Sequence, residues 1–123
     1  MNKNVGIFGK NQVANLSLFK ILEKQDYYPV MSSSLDVFLE QLKHFNFEII
    51  FCNFINSNDN DYQIVDKILM MKPEINIICV VNKKSYLKAY ALFNLGVVEI
   101  IEAPFNYQNL IEKFNQVVFN CLT

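Results

Sequence analysis

Two residues of this 123-residue chain follow apolar runs in positions where their side chains suit chemistry. Lys10 comes after the run VGIF and a single glycine, Gly9, and Asn53 directly follows the run EIIFC. A lysine ammonium binds anions, whereas an asparagine amide donates and accepts hydrogen bonds but is a poor nucleophile. No order of Ser, His, Asp and Cys residues predicts covalent catalysis. The sequence therefore predicts a binding protein rather than an enzyme.

Three other patterns have weaker chemical interpretations. The string GIFGKN resembles a phosphate-binding loop, but the spacing is too short and Asn11 replaces the hydroxyl residue that would bind Mg²⁺. The acidic stretch 56–61 lacks the central Gly and final Glu of a calcium loop, so we expect a solvated loop. His44 is the only histidine and has no acidic or cysteine pattern around it. We predict no metal and no cofactor.

The composition is that of one globular domain, which we place at 1–123. Hydrophobic residues make up 52% and Pro and Gly only three each, so we expect a real core and little disorder. A formal net charge of −1 gives no reason to expect nucleic-acid binding, and no apolar run approaches a membrane span. The unpaired spacing of Cys52, Cys79 and Cys121 favours a reducing, cytoplasmic location.

Strand-like and helix-like segments alternate along the whole chain. The predicted strands are short, rich in Val, Ile and Phe, and lie at 4–8, 27–31, 47–53, 76–81 and 97–101. The predicted helices carry one apolar stripe each and lie at 11–24, 34–45, 61–71, 85–95 and 107–121. Ser34 and Ser85 are predicted N-caps, and Gly96 is predicted to end the fourth helix.

This alternation predicts an α/β fold in which a five-stranded parallel sheet is covered by helices on both faces. Sites in such doubly wound folds lie beyond the carboxyl ends of the strands. The residues brought there are expected to follow Phe8, Asn53, Val81 and Ile101. The candidate site is therefore located by the strand ends themselves.

The last third of the chain carries a moderately specific pattern. The run from Gly96 through Ile101 precedes Ala103-Pro104-Phe105, and Asn53, Val81 and Ala103 are spaced like the site positions of a known module. On these marks, and on the order of its elements, the chain resembles the CheY-type receiver domains of response regulators. The resemblance implies the flavodoxin-like strand order 2-1-3-4-5 and a cis peptide bond before Pro104.

The resemblance also implies a reaction centre that this chain lacks. Typical receivers bind Mg²⁺ through acidic residues after the first strand and an Asp after the third. The same Asp accepts a phosphoryl group, which a Thr or Ser and a Lys then sense. Here those positions hold residues that cannot do this: Gly9, Lys10, Asn53, Val81 and Ala103. We therefore expect a degenerate pseudo-receiver, without phosphoryl transfer or Mg²⁺ dependence.

Several alternatives remain open at the level of sequence. Lys10 is hypothesised to bridge to the carbonyl of Asn53 in place of the missing cation. A small-molecule or anion sensor would use Lys10 with neighbouring groups such as Asn82 and Glu102. An unusual active receiver would use Asp59 or Asp61 as acceptor. The domain is compatible both with a stand-alone adaptor and with the N-terminal regulatory domain of a longer, DNA-binding regulator.

The fourth predicted helix has more aromatic residues than packing on a sheet requires. Tyr86, Ala89, Tyr90 and Phe93 follow i, i+3, i+4, i+7 spacing, beyond the single stripe that such a helix needs. Ile100 and Tyr107 are expected on the adjoining strand and helix, and the resemblance to receiver domains implies that this fourth helix–fifth strand–fifth helix face contacts partners or another copy of the chain. Exposed aromatic patches are enriched at interfaces. These six residues are the predicted surface for a protein partner or a homodimer.

Overall fold

The computed structural model describes residues 2–57, 60–82 and 86–122, and for Tyr86 it describes the backbone alone. The strands are β1 (Asn4–Gly9), β2 (Tyr28–Ser32), β3 (Ile49–Asn53), β4 (Asn76–Asn82) and β5 (Glu99–Ala103). The helices are α1 (Gln12–Lys24), α2 (Leu35–His44), α3 (Asp61–Met71), α4 (Tyr86–Leu95) and α5 (Tyr107–Leu122). These elements alternate as the sequence predicts.

The five strands form one parallel sheet in the order β2-β1-β3-β4-β5. The predicted fold class and strand order are confirmed. Gly9 pairs with Asn53, and Asn82 pairs with Ala103, so the carboxyl ends of four strands meet at one edge. The peptide bond between Ala103 and Pro104 is cis, as predicted.

The core consists of two apolar layers, one on each face of the sheet. Side chains of α1 and α5, such as Leu18 and Phe114, pack on one face. Side chains of α2, α3 and α4, such as Phe38, Ile68 and Leu92, pack on the other. Because β3 and β4 are buried on both faces, their residues alternate between the two layers, which explains their nearly continuous apolar sequences.

Helix ends follow from local chemistry. The side chain of Ser34 accepts from the Val37 amide at the start of α2, which confirms its predicted cap. Gly96, at φ 121°, ends α4 with two backbone bonds, from its own amide to Phe93 and from the Val97 amide to Leu92. These bonds form a Schellman motif, so the predicted stop is confirmed. The predicted cap at Ser85 lies outside the described residues.

The main boundary error concerns β5. The predicted strand begins at residue 97, whereas β5 runs from Glu99 to Ala103. Val97 is apolar and strand-like, but its amide is used to end α4. Ala103 is consequently part of the strand. Among the described residues, no helix is long and apolar enough to cross a membrane.

Candidate functional site

Asn53 lies at the carboxyl end of β3, with only 2% of its surface exposed. Its side-chain nitrogen donates to the side-chain oxygen of Asn15 at 3.0 Å and to the backbone carbonyl of Asn11 at 3.2 Å. Its side-chain oxygen accepts from the Ile55 amide at 3.1 Å. Both ends of the amide are therefore committed to neighbours within the chain.

Helix α1 supplies the other half of this arrangement. Asn11 caps the helix by accepting from the Ala14 amide, and Asn15 lies one turn later on the same side. The Asn15 side chain is 1% exposed and donates to the carbonyl of Gly9 at 2.7 Å. We call Gly9, Asn11, Asn15 and Asn53, with the Ile55 amide, the asparagine network. It ties β1, α1 and β3 together at the sheet edge.

Gly9 has no room for a side chain in this network. A Cβ atom built on Gly9 would lie 2.6 Å from the Cβ and the carbonyl oxygen of Asn53, and 2.9 Å from Asn15 Oδ1. Contacts of this length to backbone require the chain to move. An acidic residue at this position is therefore incompatible with the network as it stands.

The backbone amides that follow Asn53 are also occupied. Ile55 donates to Asn53 Oδ1, and Asn56 donates to Asn82 Oδ1 at 2.6 Å. The amides of Phe54 and Ser57 donate to the carbonyls of Val80 and Phe54. Loops that hold phosphate present such amides unpaired. This loop uses all four internally, so an anion here would find few backbone donors.

Lys10 is exposed and does not complete the network. In the part of the chain that the structure describes, no hydrogen bond joins Lys10 to Asn53. The oxygen that Lys10 was expected to reach accepts from Ile55 instead. The hypothesised bridge is therefore replaced by neutral hydrogen bonds.

The two remaining positions of the predicted degenerate site lie within apolar packing. Val81 is 7% exposed and belongs to the layer formed with α2, α3 and α4. Ala103 is partly buried and packs against the layer formed with α1 and α5. Neither side chain can hydrogen-bond or pair with an anion.

A charged cluster that sequence reasoning missed lies beside this edge. Asp61, at the start of α3, is 1% exposed, and its Oδ2 atom lies 2.5 Å from Nζ of Lys88 on α4. The Ser57 hydroxyl lies 2.7 Å from the same oxygen. Asp61 was considered only as a loop acceptor, and it is instead a buried partner of Lys88. Asp59, the other proposed acceptor, lies outside the described residues.

Only some residues of the predicted interaction surface are exposed to solvent. Tyr90 and Phe93 are 68% and 47% exposed, and Tyr107 is also exposed. Ile100 is a correction, because it is 8% exposed and its side chain packs in the core that includes Leu92 of α4. Ala89 is partly buried against the same core. The side chain of Tyr86 lies outside the described residues.

The outward face of α4 includes one residue that is not among the six of the predicted surface. Leu87 is 82% exposed and lies one turn before Tyr90, which lies one turn before Phe93. We call Leu87, Tyr90 and Phe93 the α4 patch. Val98, just after the helix, is exposed as well. Water-facing leucine and aromatic side chains in one row are a feature of contact surfaces.

The two cysteines in the sheet are buried and do not form a reactive site. Cys52 and Cys79 pair in register across β3 and β4, and both are fully buried. Burial raises the pKa of both thiols, and the nearby Asp61 carboxylate raises them further. The neutral thiol is a poor nucleophile and metal ligand. Among the described residues, no group of three or more His, Cys, Asp or Glu side chains is arranged to hold a metal ion.

The edge therefore combines a CheY-like strand arrangement with a neutral, internally bonded centre, and solved structures share its fold. A CheY-like response regulator receiver domain from Methanospirillum hungatei JF-1 is 20% identical, with a TM-score of 0.85 over 98% of this chain and 96% of that one. An orphan response regulator of H. pylori is 16% identical, with a TM-score of 0.79 over 92% and 93%. NtrX from Brucella abortus, in complex with ADP, is 15% identical, with a TM-score of 0.87 over 98% of this chain but 27% of that one.

These likenesses show that the chain has the CheY-like, flavodoxin-like fold. The solved structures that it matches include receiver domains of response regulators, the modules of two-component signalling. No family model matches the sequence. No curated protein matches it either.

Proposed function

We propose that this chain is a phosphorylation-independent, receiver-like signalling domain that acts through protein contacts and not as an enzyme. The observation that carries the proposal is the asparagine network around Asn53. The position where the resemblance expects a nucleophilic carboxylate holds a buried amide with both ends bonded. Phosphoryl transfer needs an accessible nucleophile, charge-neutralising groups and usually a metal.

The surroundings of Asn53 support the same proposal. The amides of the following loop are bonded internally, and Gly9 offers no metal ligand. Val81 and Ala103 lack the hydroxyl and ammonium with which the resembling family senses phosphate. A domain built in this way holds one arrangement at the sheet edge without a phosphoryl group.

The α4 patch is the contact surface in this proposal, and a second copy of the chain is the partner that we expect. Leu87, Tyr90 and Phe93 are uncharged, so two such faces meet without like-charge repulsion. Aromatic anchors in the centre of an interface contribute most of its binding energy. The prediction from sequence named a protein partner or a homodimer, and the uncharged patch favours the homodimer.

The test of this contact is sedimentation velocity over a range of concentrations. The wild-type chain is expected to dimerise reversibly. Tyr90→Ser with Phe93→Ser is expected to raise the dimer Kd by roughly a thousandfold, since the variant dimer loses four interface aromatics that contribute about 1 kcal/mol each. Val13→Ser with Met70→Ser, at exposed positions on α1 and α3, is the matched control and should leave the Kd unchanged. Identical behaviour of the wild-type and patch variants would remove this surface from the proposal.

The broader setting is part of the proposal as well. We propose that residues 1–123 form one receiver-like unit, whether alone or at the N-terminus of a longer regulator. A cytoplasmic location rests on the three free cysteines, which a reducing compartment preserves. Any output through DNA would come from another domain, because this chain has a net charge of −1.

A further inference from the structure

A cavity of about 320 Å³ lies beside the asparagine network, on the side of α2 and α3. Its walls come from the end of β1, the loop after β3, the first turn of α2 and the first two turns of α3. Cavities of this size hold small organic molecules in other proteins. The cavity is thus large enough for a ligand although the network occupies the centre of the edge.

The lining of the cavity is apolar at its base. Phe8 and Phe54 are each 2% exposed, and Leu35 and Ile64 are partly buried. Leu35 and Ile64 still expose some hydrocarbon to water, so they favour the apolar body of a ligand that would cover it. An inorganic ion alone would leave these walls without a partner.

Positive charge lies at the rim. Lys10 and Lys67 both line the cavity and are exposed, and within the described part of the chain neither belongs to an ion pair. Among the lining residues that the structure describes, Asp61 is the acidic one, and it is already paired with Lys88. Of these described residues, Lys10 and Lys67 therefore carry the unneutralised charge.

The available hydrogen-bond donors favour a carboxylate or sulfonate over a phosphate. The amides of residues 54–57 are bonded internally, and the Asn53 amide is committed at both ends. Residues 54–57 therefore offer an anion no free backbone amide, and Lys10 and Lys67 are the described lining residues that bring positive charge to it. A single negative charge on an apolar body matches these walls.

We propose that this cavity binds a small organic monoanion with a compact apolar body, such as an aromatic carboxylate. The apolar body lies against Phe8, Leu35, Phe54 and Ile64, and the anionic group points toward Lys10 and Lys67. This inference goes beyond the proposed function, because it gives the domain a chemical input at the edge where phosphorylation is absent.

The test is a titration of the ¹⁵N-labelled chain with benzoate, followed by NMR, with neutral benzamide as the probe of equal shape. Benzoate is expected to shift the amide signals of lining residues such as Ile55 and Ile64 in a saturable way. It is expected to bind roughly fivefold more tightly than benzamide, the factor that a partly exposed ion pair gives.

Two variants separate the charge from the apolar walls. Lys10→Gln with Lys67→Gln should remove the preference for benzoate, whereas Lys20→Gln with Lys24→Gln, on exposed positions of α1, changes the net charge equally and should keep it. Ile64→Trp should fill the cavity and weaken both probes, and its own spectrum shows whether the domain is folded.

Three results would overturn the inference. The first is an absence of saturable shifts at the cavity, and the second is equal affinity of benzoate and benzamide in the wild-type chain. The third is an equal loss of the preference for benzoate in the two double lysine variants. The readout is independent of phosphorylation and of dimerisation, so its failure would leave the proposed function intact. Conversely, a phosphoryl adduct on the wild-type chain would overturn the proposed function but would leave the proposed binding of an organic anion intact.

Discussion

At the scale of single residues, the amide of Asn53 does what a carboxylate at the same place cannot do. It donates twice, to Asn15 and Asn11, and accepts once, from Ile55. A carboxylate only accepts. Its oxygen would face the Asn15 and Asn11 oxygens without a hydrogen between them. The network therefore depends on the asparagine rather than merely tolerating it.

Asn53→Asp should consequently destabilise the domain. We expect the free energy of unfolding at neutral pH to fall by about 2–3 kcal/mol, because a buried group loses its partners. The introduced carboxyl would have its pKa raised by burial and by the facing oxygens, so its proton is held more tightly in the folded state. The loss of stability should therefore shrink as the pH falls toward about 4 and the group is protonated. Urea unfolding at several pH values measures this.

The control for this prediction is Asn115→Asp, at an exposed position of α5. Surface substitutions of this kind usually change stability by less than about 0.5 kcal/mol. If both variants lost equal stability, or if the Asn53 variant were as stable as the wild-type chain, the network would not carry the role assigned to it.

The buried thiols give a second prediction at this scale. The pKa values of Cys52 and Cys79 are raised from 9.0 in the folded chain, so above that pH the unfolded chain releases protons that the folded chain retains. The free energy of unfolding is therefore fully present below pH 9.0 and declines above it, toward roughly 1.4 kcal/mol per pH unit for each thiol.

Unfolding curves of the wild-type chain and of Cys52→Ala, measured on either side of pH 9.0, check this slope. In Cys52→Ala the free energy of unfolding should decline less steeply with pH, because one of the two fully buried thiols is gone. This holds whatever the stability of the variant at neutral pH. Cys121→Ala, which lies at a partly buried position, should keep most of the decline. An unchanged slope in Cys52→Ala would contradict the assignment.

At the scale of elements, the pair of Asp61 and Lys88 joins the first turn of α3 to the first turn of α4. The two partners differ in exposure: the side chain of Asp61 is 2% exposed and that of Lys88 30%. The carboxylate cannot reach water if its partner is lost, whereas the ammonium can. The pair therefore fixes the start of the helix that carries the α4 patch.

This asymmetry makes a quantitative prediction. Lys88→Met should lower the free energy of unfolding by about 3 kcal/mol, because it leaves the buried Asp61 carboxylate beside Ser57 without its charged partner. Asp61→Asn should cost about 1–2 kcal/mol, since Lys88 can turn toward water. The double variant should recover stability relative to Lys88→Met alone. Urea unfolding of the three variants gives the comparison.

The partly exposed pair of Lys113 and Glu99 serves as the reference for this prediction. Lys113→Met should cost roughly 1 kcal/mol or less, as surface pairs do. Equal costs for Asp61→Asn and Lys88→Met, or a double variant no better than Lys88→Met, would show that the pair is not a buried lock between the helices.

The elements themselves were largely predictable because their signals are local. The apolar runs of β3 and β4, the cap at Ser34 and the stop at Gly96 all act within a few residues. The start of β5 was misplaced because Val97 looks like a strand residue while its amide ends α4. Ile100 was assigned to the surface because the resemblance implies contacts through the face that includes the fifth strand, whereas its side chain packs in the core.

The partners across the site were not predictable in the same way. Asn15 and Asn53 are separated by 38 residues, and Asp61 and Lys88 by 27, so no short-range pattern joins them. The one available signal was the spacing of Asn11 and Asn15, which places both on one side of α1. The sequence indicated which residue types occupy the edge, and the fold determines how they bond.

At the scale of the whole molecule, the CheY-like fold is intact, while the groups that bond to the Asn53 side chain at its edge are uncharged. The strand order, the two apolar layers and the cis bond before Pro104 follow the resemblance. Fold alone does not determine function, which depends on the residues at the site. We propose that a small organic anion in the cavity takes the place of phosphate as the input of the domain, and that its output is protein contact through the α4 patch.

We propose above all that this domain does not accept a phosphoryl group. The most direct measurement is incubation of the folded chain with acetyl phosphate and Mg²⁺, followed by intact-mass spectrometry. Our account predicts an unchanged mass with and without Mg²⁺, because Asn53 is a buried, doubly committed amide. An adduct of one phosphoryl group on the folded chain would contradict it.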